Sequence, residues 1–177
     1  MLLDRLFRPR PGQTVGRALY AQVVDQARRP ELYRDMGVPD TVEGRFELYT
    51  LHLVLLLERL RAGGGAAAGE AAQALFDSYL KGLDDALREM GVGDLSVGKK
   101  MRRLGEAFYG RGKSYDAAVE ALPDLEPLTG LLVRTVYEGA DASHAGELAA
   151  YVVKLRGSLE AVPIERLMAG HADWSAA

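Results

Sequence analysis

Six cations fall within residues 99–113: Lys99, Lys100, Arg102, Arg103, Arg111 and Lys113, against one acid, Glu106. The whole chain carries a net charge of −3, so this stretch departs sharply from its surroundings. Crowded like charges oppose folding and are relieved by a partner that brings negative charge, or by acids from a neighbouring segment such as Glu89 or Glu106. Phosphate, an acidic protein segment and anionic lipid headgroups would all serve. Tyr109 and Tyr115 are the nearby aromatics, too few for a stacking platform of the kind that single-stranded nucleic acid needs.

Catalytic arrangements find little support. Asp84 and Asp85 are adjacent on a helical pattern, so their carboxylates diverge and read as a solvated face. Glu138, Asp141 and His144 step by threes, which would suit a cation, but Gly139 and the lack of a fourth ligand favour a helix terminus. The three histidines, His52, His144 and His171, are remote in sequence, and no cysteine is present. That excludes disulfides, thiolate metal sites and cysteine nucleophiles. Neither a serine nucleophile elbow nor a paired-histidine zinc motif occurs, and the glycines of residues 92–98 lack the spacing of a phosphate loop. No metal or cofactor is expected, and the chain reads as no enzyme.

The elements that must position these residues are helices. Residues 43–60 form the centre, with residues 51–57 apolar apart from His52. Their stripes cover most of a helical cylinder, so neighbouring helices must surround it. The run is far short of the roughly 20 residues that cross a bilayer. His52 reads as a satisfied polar group at a helix contact. Asp40, with Glu43 three residues on, is expected to cap this helix.

Before it, Thr14 is expected to cap a helix running to Arg29, and Pro30 to open a short one closed by Gly37. After it, residues 61–69 read as a flexible low-complexity connection. Further helices are expected over residues 70–90, 96–109 with Val97, Met101, Leu104 and Phe108 inward, a short one around Tyr115, 125–138, one capped by Ser143 and broken at Gly157, and 158–168. Gly110, Arg111, Gly112 and Lys113 read as a turn. No window alternates as a strand does, and no repeat of fixed period occurs. The expected fold is all-α: one compact bundle of about seven to eight helices around a central apolar helix, spanning residues 14–170 between tails at 1–13 and 171–177. Residues 1–11 lack a secretory pattern, and residues 2–10 read as a short tail docking on its own domain.

Two stretches, residues 38–60 (VPDTVEGRFELYTLHLVLLLERL) and 93–116 (GDLSVGKKMRRLGEAFYGRGKSYD), resemble the ubiquinol–cytochrome c chaperone family, and residues 19–29 with Tyr33 are similar to its opening helix. The resemblance covers roughly residues 14–155. It implies a non-catalytic factor for assembly of the cytochrome bc1 complex, with cytochrome b as client. It carries Val38, Pro39, Asp40, Thr41, Gly44, Arg45, Phe46, His52, Gly110, Arg111 and Tyr115 over as family positions. Arg45, Lys99, Lys100, Arg102, Arg103, Arg111 and Lys113 are the candidate partner-binding cations, forming a cationic edge beside apolar helix surface that holds a membrane-derived segment. An anionic lipid surface and the ribosome are further candidate partners, and DNA is not expected. The expected location is the cytoplasm, including peripheral association at the inner membrane. The alternatives are a ribosome- or nucleic-acid-binding module using the 99–113 patch and a helical lipid-metabolising enzyme.

Overall fold

The computed structural model describes residues 11–174, and among these every regular element is helical. The helices are α1 (Pro11–Ala27), α2 (Pro30–Arg34), α3 (Val42–Gly63), α4 (Gly65–Glu89), α5 (Asp94–Glu120), α6 (Glu126–Thr135), α7 (Ala145–Ala161) and α8 (Ile164–Met168). The expectation for residues 2–10 lies outside the described residues.

The centre is α3. Leu48, Leu51, Leu53, Leu55, Leu56, Leu57 and Leu60 are all buried, because α1, α4, α5, α7 and α8 pack around it. The apolar run in the sequence thus marks a helix enclosed on every side over its middle. Its start differs from expectation. Thr41, in extended conformation, is the N-cap, its hydroxyl accepting from Gly44 N–H at 3.1 Å. Asp40 lies one residue too early to reach that amide and pairs with Arg45 instead. Gly44 is required by the turn itself: a Cβ there would stand 2.1 Å from the Pro39 carbonyl oxygen.

Residues 61–69 are not a flexible connection. The chain breaks only at Gly64 (φ 71°), and α4 begins at Gly65. Ala68 and Ala71 are buried. The small side chains that looked featureless let α1 approach at backbone distance: a Cβ on Gly16 would lie 2.5 Å from Leu75 N, and one on Gly12 would lie 3.1 Å from Glu70 Cβ. Close backbone contact of this kind makes up for weak side-chain burial.

Likewise, Gly110 and Gly112 do not form a turn, and Gly157 does not break α7. Helix α5 runs unbroken through both glycines, since the inward series Phe108, Tyr115 and Ala118 continues across them. The propensity cost of about 1 kcal/mol per glycine is outweighed by tertiary packing. Helix α6 ends at Thr135, three residues early, and α7 starts at Ala145 rather than at a Ser143 cap, because Asp141 takes up Ser143 through its amide and hydroxyl. The residues after 170, read as a tail, contribute to the core: Ala172 and Trp174 are buried.

Buried polar groups join the helices at the centre. His52 Nδ1–H donates to Leu48 O at 2.7 Å, which leaves Nε2 to accept from the Tyr151 hydroxyl at 2.8 Å. Gln26 Nε2 donates to that same hydroxyl oxygen at 2.9 Å. The ring of Trp174 meets His52 edge-on at 5.8 Å. Burial holds the imidazole neutral, with its pKa lowered to about 4. At the far end of α3, Arg59 donates to Leu159 O and Val162 O, satisfying carbonyls at the end of α7.

Candidate functional site

On α5 the 3.6-residue period places Leu104, Phe108, Arg111, Tyr115 and Ala118 on one face and Leu95, Lys99, Arg102, Glu106 and Lys113 on the opposite one. Arg111 therefore points inward. Its guanidinium grips the buried Glu47 carboxylate in a fork, with Nη2 to Oε1 at 2.8 Å and Nε to Oε2 at 2.9 Å. The hydrogen bonds that Arg111 donates to Glu47 raise its pKa, and partial burial opposes them. Arg45 is occupied too, its Nε 2.6 Å from Asp40 Oδ1 on the surface.

The expected rim of Arg45, Arg111 and Lys113 is therefore not formed. Two of its members are neutralised by acids, and Lys113 lies two residues past Arg111, about 200° around the helix. Arg102 has Glu106 at 3.9 Å. Lys99, Lys100, Arg103 and Lys113 are exposed, and among the described residues none has an acid within 4.0 Å. The local charge excess survives only as the outer surface of α5.

The remaining family positions are structural in geometry. Val38 is buried, and Pro39, Thr41 and Gly44 build the start of α3 as described. His52 and Tyr115 are buried, burial pushing the Tyr115 hydroxyl up, and Gly110 is a surface position on α5. Asp84 and Asp85 make exposed pairs with Arg88 and Lys81, and His144 pairs with Glu147. No group of three or more His, Cys, Asp or Glu side chains able to hold a metal ion occurs among the described residues.

Phe46 is a family position that borders open space. Helix α5 crosses the antiparallel pair α3 and α4 where Phe108 packs on Phe76 and Tyr79, with ring centroids 5.0 and 5.5 Å apart. On one side of this crossing lies a groove of about 240 Å³ lined by Val42, Phe46, Tyr49, Leu87, Met90 and Leu104. Its floor is apolar. Val42 is 56% exposed and Met90 52%, so two large apolar side chains stand at its lip rather than in the core. Arg28 and Arg45 line the same groove and also a polar cleft with Tyr33, Arg34 and Asp40. Arg28 is fixed there by Tyr49, donating to its hydroxyl at 2.5 Å. Apolar surface with a cationic border suits an amphipathic or membrane-derived segment with acidic or polar ends.

The sequence reading placed Arg45 and Phe46 but missed Met90, Leu87 and Arg28. The signal was available in part: Met90 stands just past the end of α4 and Val42 is the first residue of α3, and side chains at helix ends have fewer neighbours to bury them.

A family model described as ubiquinol-cytochrome C chaperone matches residues 34–174. The chain belongs to that family. Its fold is also that of a crystal structure, the Cbp3 homolog from Brucella abortus, at 35% identity and a TM-score of 0.82, covering 96% of this chain and 94% of the other. A search of curated proteins gives no match. Membership makes the chain a non-catalytic chaperone, with assembly of the cytochrome bc1 complex as the function the family supplies. No helix among the described residues is long and apolar enough to cross a membrane.

Proposed function

We propose that this ubiquinol–cytochrome c chaperone holds newly made cytochrome b before its incorporation, seating an apolar client segment in the groove between α3, α4 and α5. The observation that carries this reading is the exposed pair Val42 and Met90 at the lip of an apolar groove bordered by Arg28 and Arg45. Large apolar side chains left open to water in this way mark interaction surfaces when they gather on one patch. An apolar segment with a polar end would bury its side chains against Phe46, Leu87 and Leu104 and meet Arg45 at the border.

The test is site-directed photocrosslinking from position 90 in cells that synthesise cytochrome b, together with the Val42→Asp/Met90→Asp variant. Crosslinks to cytochrome b, and loss of bc1 complex in the variant without loss of chaperone level, are the expected results. A normal amount of bc1 complex with both aspartates in place would overturn the assignment of the groove.

A further inference from the structure

The groove leaves the cations of α5 unused. Lys99, Arg102 and Lys113 lie on the solvent side of this helix with Glu106 among them, Arg103 lies on the flank of that side, and Lys100 is exposed near the helix start off the same line. Asp94 at the helix start is taken by Arg88, and Arg111 by Glu47. Arg102 has Glu106 beside it, and the charge of Lys99, Lys100, Arg103 and Lys113 has no ion-pair partner among the described residues.

A second feature lies on the same line. Leu95 is fully exposed, at 102% of its reference surface, the most open large apolar side chain among the described residues. It precedes Lys99 by four residues and Arg102 by seven, and so stands in register with them on the outward stripe. Tyr109, also exposed, follows on the flank of that stripe at the fourteenth position, and Lys113 at the eighteenth. Eighteen residues of helix extend about 27 Å. The stripe is thus a row with an aliphatic tip at one end, Lys113 and a phenol near the other, and Lys99, Arg102 and its partner Glu106 between.

We infer that this outer face of α5 is a docking surface for an anionic lipid bilayer. A row on one straight helix matches a planar partner. Headgroup phosphates can gather under each cation without being held at fixed positions, which an acidic protein would have to supply residue by residue. Leu95 and Tyr109 distinguish lipid from nucleic acid: a bilayer gives the leucine an acyl boundary to enter and the tyrosine an interface to occupy, whereas a phosphate backbone offers the leucine nothing. Docking through α5 leaves Val42 and Met90 of the client groove on separate elements.

The test is co-sedimentation of the full chain with vesicles of phosphatidylcholine alone and of phosphatidylcholine mixed with phosphatidylglycerol. The wild-type chain binds the mixed vesicles, releases as salt is raised, and ignores the neutral ones. Lys99→Glu/Arg103→Glu/Lys113→Glu lowers binding roughly tenfold or more, and Leu95→Gln lowers it several-fold at unchanged charge. All four side chains are exposed, and circular dichroism confirms that the variants remain helical. Equal binding to neutral vesicles, or binding indifferent to the charge reversal, overturns the inference. So does absence of vesicle binding with tight binding to a ribosomal RNA fragment that Leu95→Gln leaves unchanged, which assigns the face to RNA. Because the variants leave the groove intact, crosslinking from position 90 reports separately on the client reading.

Discussion

Arg111 and Glu47 are bound to one another across the α3–α5 contact by a forked hydrogen-bonded pair, Nη2 to Oε1 at 2.8 Å. Glu47 is buried while Arg111 keeps 29% of its side chain exposed. Removing one partner strands the other. Arg111→Met should destabilise the fold by about 2 to 3 kcal/mol, below the range for a wholly buried pair because Arg111 is partly hydrated, whereas Glu47→Leu/Arg111→Met should be close to wild type. Urea unfolding of the two variants checks this. Equal losses in both would mean that packing, not the charge left behind, sets the cost.

Arg45 gives the opposite expectation. Its pair with Asp40 is on the surface, and exposed pairs of this kind add little to stability. Arg45→Ala should leave the melting temperature unchanged while reducing client crosslinking from position 90. A fall in melting temperature comparable to that of the Arg111 variant would make Arg45 a structural residue.

His52 sets a pH dependence. Its pKa is lowered from the ordinary 6.5 to about 4, first by burial. Between these values the unfolded chain binds the proton and the folded chain does not, so stability falls as pH drops through 6.5 toward 4 and is flat for this group above. The slope from one proton reaches at most about 1.4 kcal/mol per pH unit. His52→Gln, which keeps polar atoms near Leu48 O and Tyr151, should lose that slope when unfolding is measured across pH 4 to 7; an unchanged profile would assign the acid sensitivity elsewhere.

Two glycines separate packing from propensity. A Cβ at Gly16 meets the backbone of α4 at Leu75 N, and backbone cannot swing aside, so Gly16→Ala should destabilise by about 2 kcal/mol or more. At Gly105, within α5, nothing lies within 4 Å of a Cβ, and Gly105→Ala should stabilise by about 0.5 to 1 kcal/mol. Thermal melts of the pair decide; a destabilised Gly105→Ala would show that α5 is held differently.

Helical class and the central helix were legible in the sequence because an apolar run closed by Glu58 and Arg59, and too short to cross a bilayer, must be enclosed by other helices in a chain of this size. His52 was legible for the same reason. The direction of Arg111 was not: with Gly110 and Gly112 read as a turn, the series 104, 108, 111, 115 was cut, and a cation on the inward face passed for part of a surface patch. The α1–α4 contact was hidden because glycine and alanine pack by the absence of atoms, which composition registers as flexibility. Thr41 displaced Asp40 as the cap by a one-residue shift that periodicity does not resolve. The groove escaped because exposure of Met90 and Val42 depends on where α5 crosses its neighbours, a matter of angle rather than of pattern.

The hydrogen bonds from Gln26 and His52 to Tyr151, together with the ring of Trp174 against His52, draw early, middle and late residues to a single point. During synthesis, the first helices can form and meet, but the imidazole at their junction has no complete enclosure until residue 174 has been made. The chaperone thus finishes its own interior late, and the half-made chain is itself a polypeptide with an open centre.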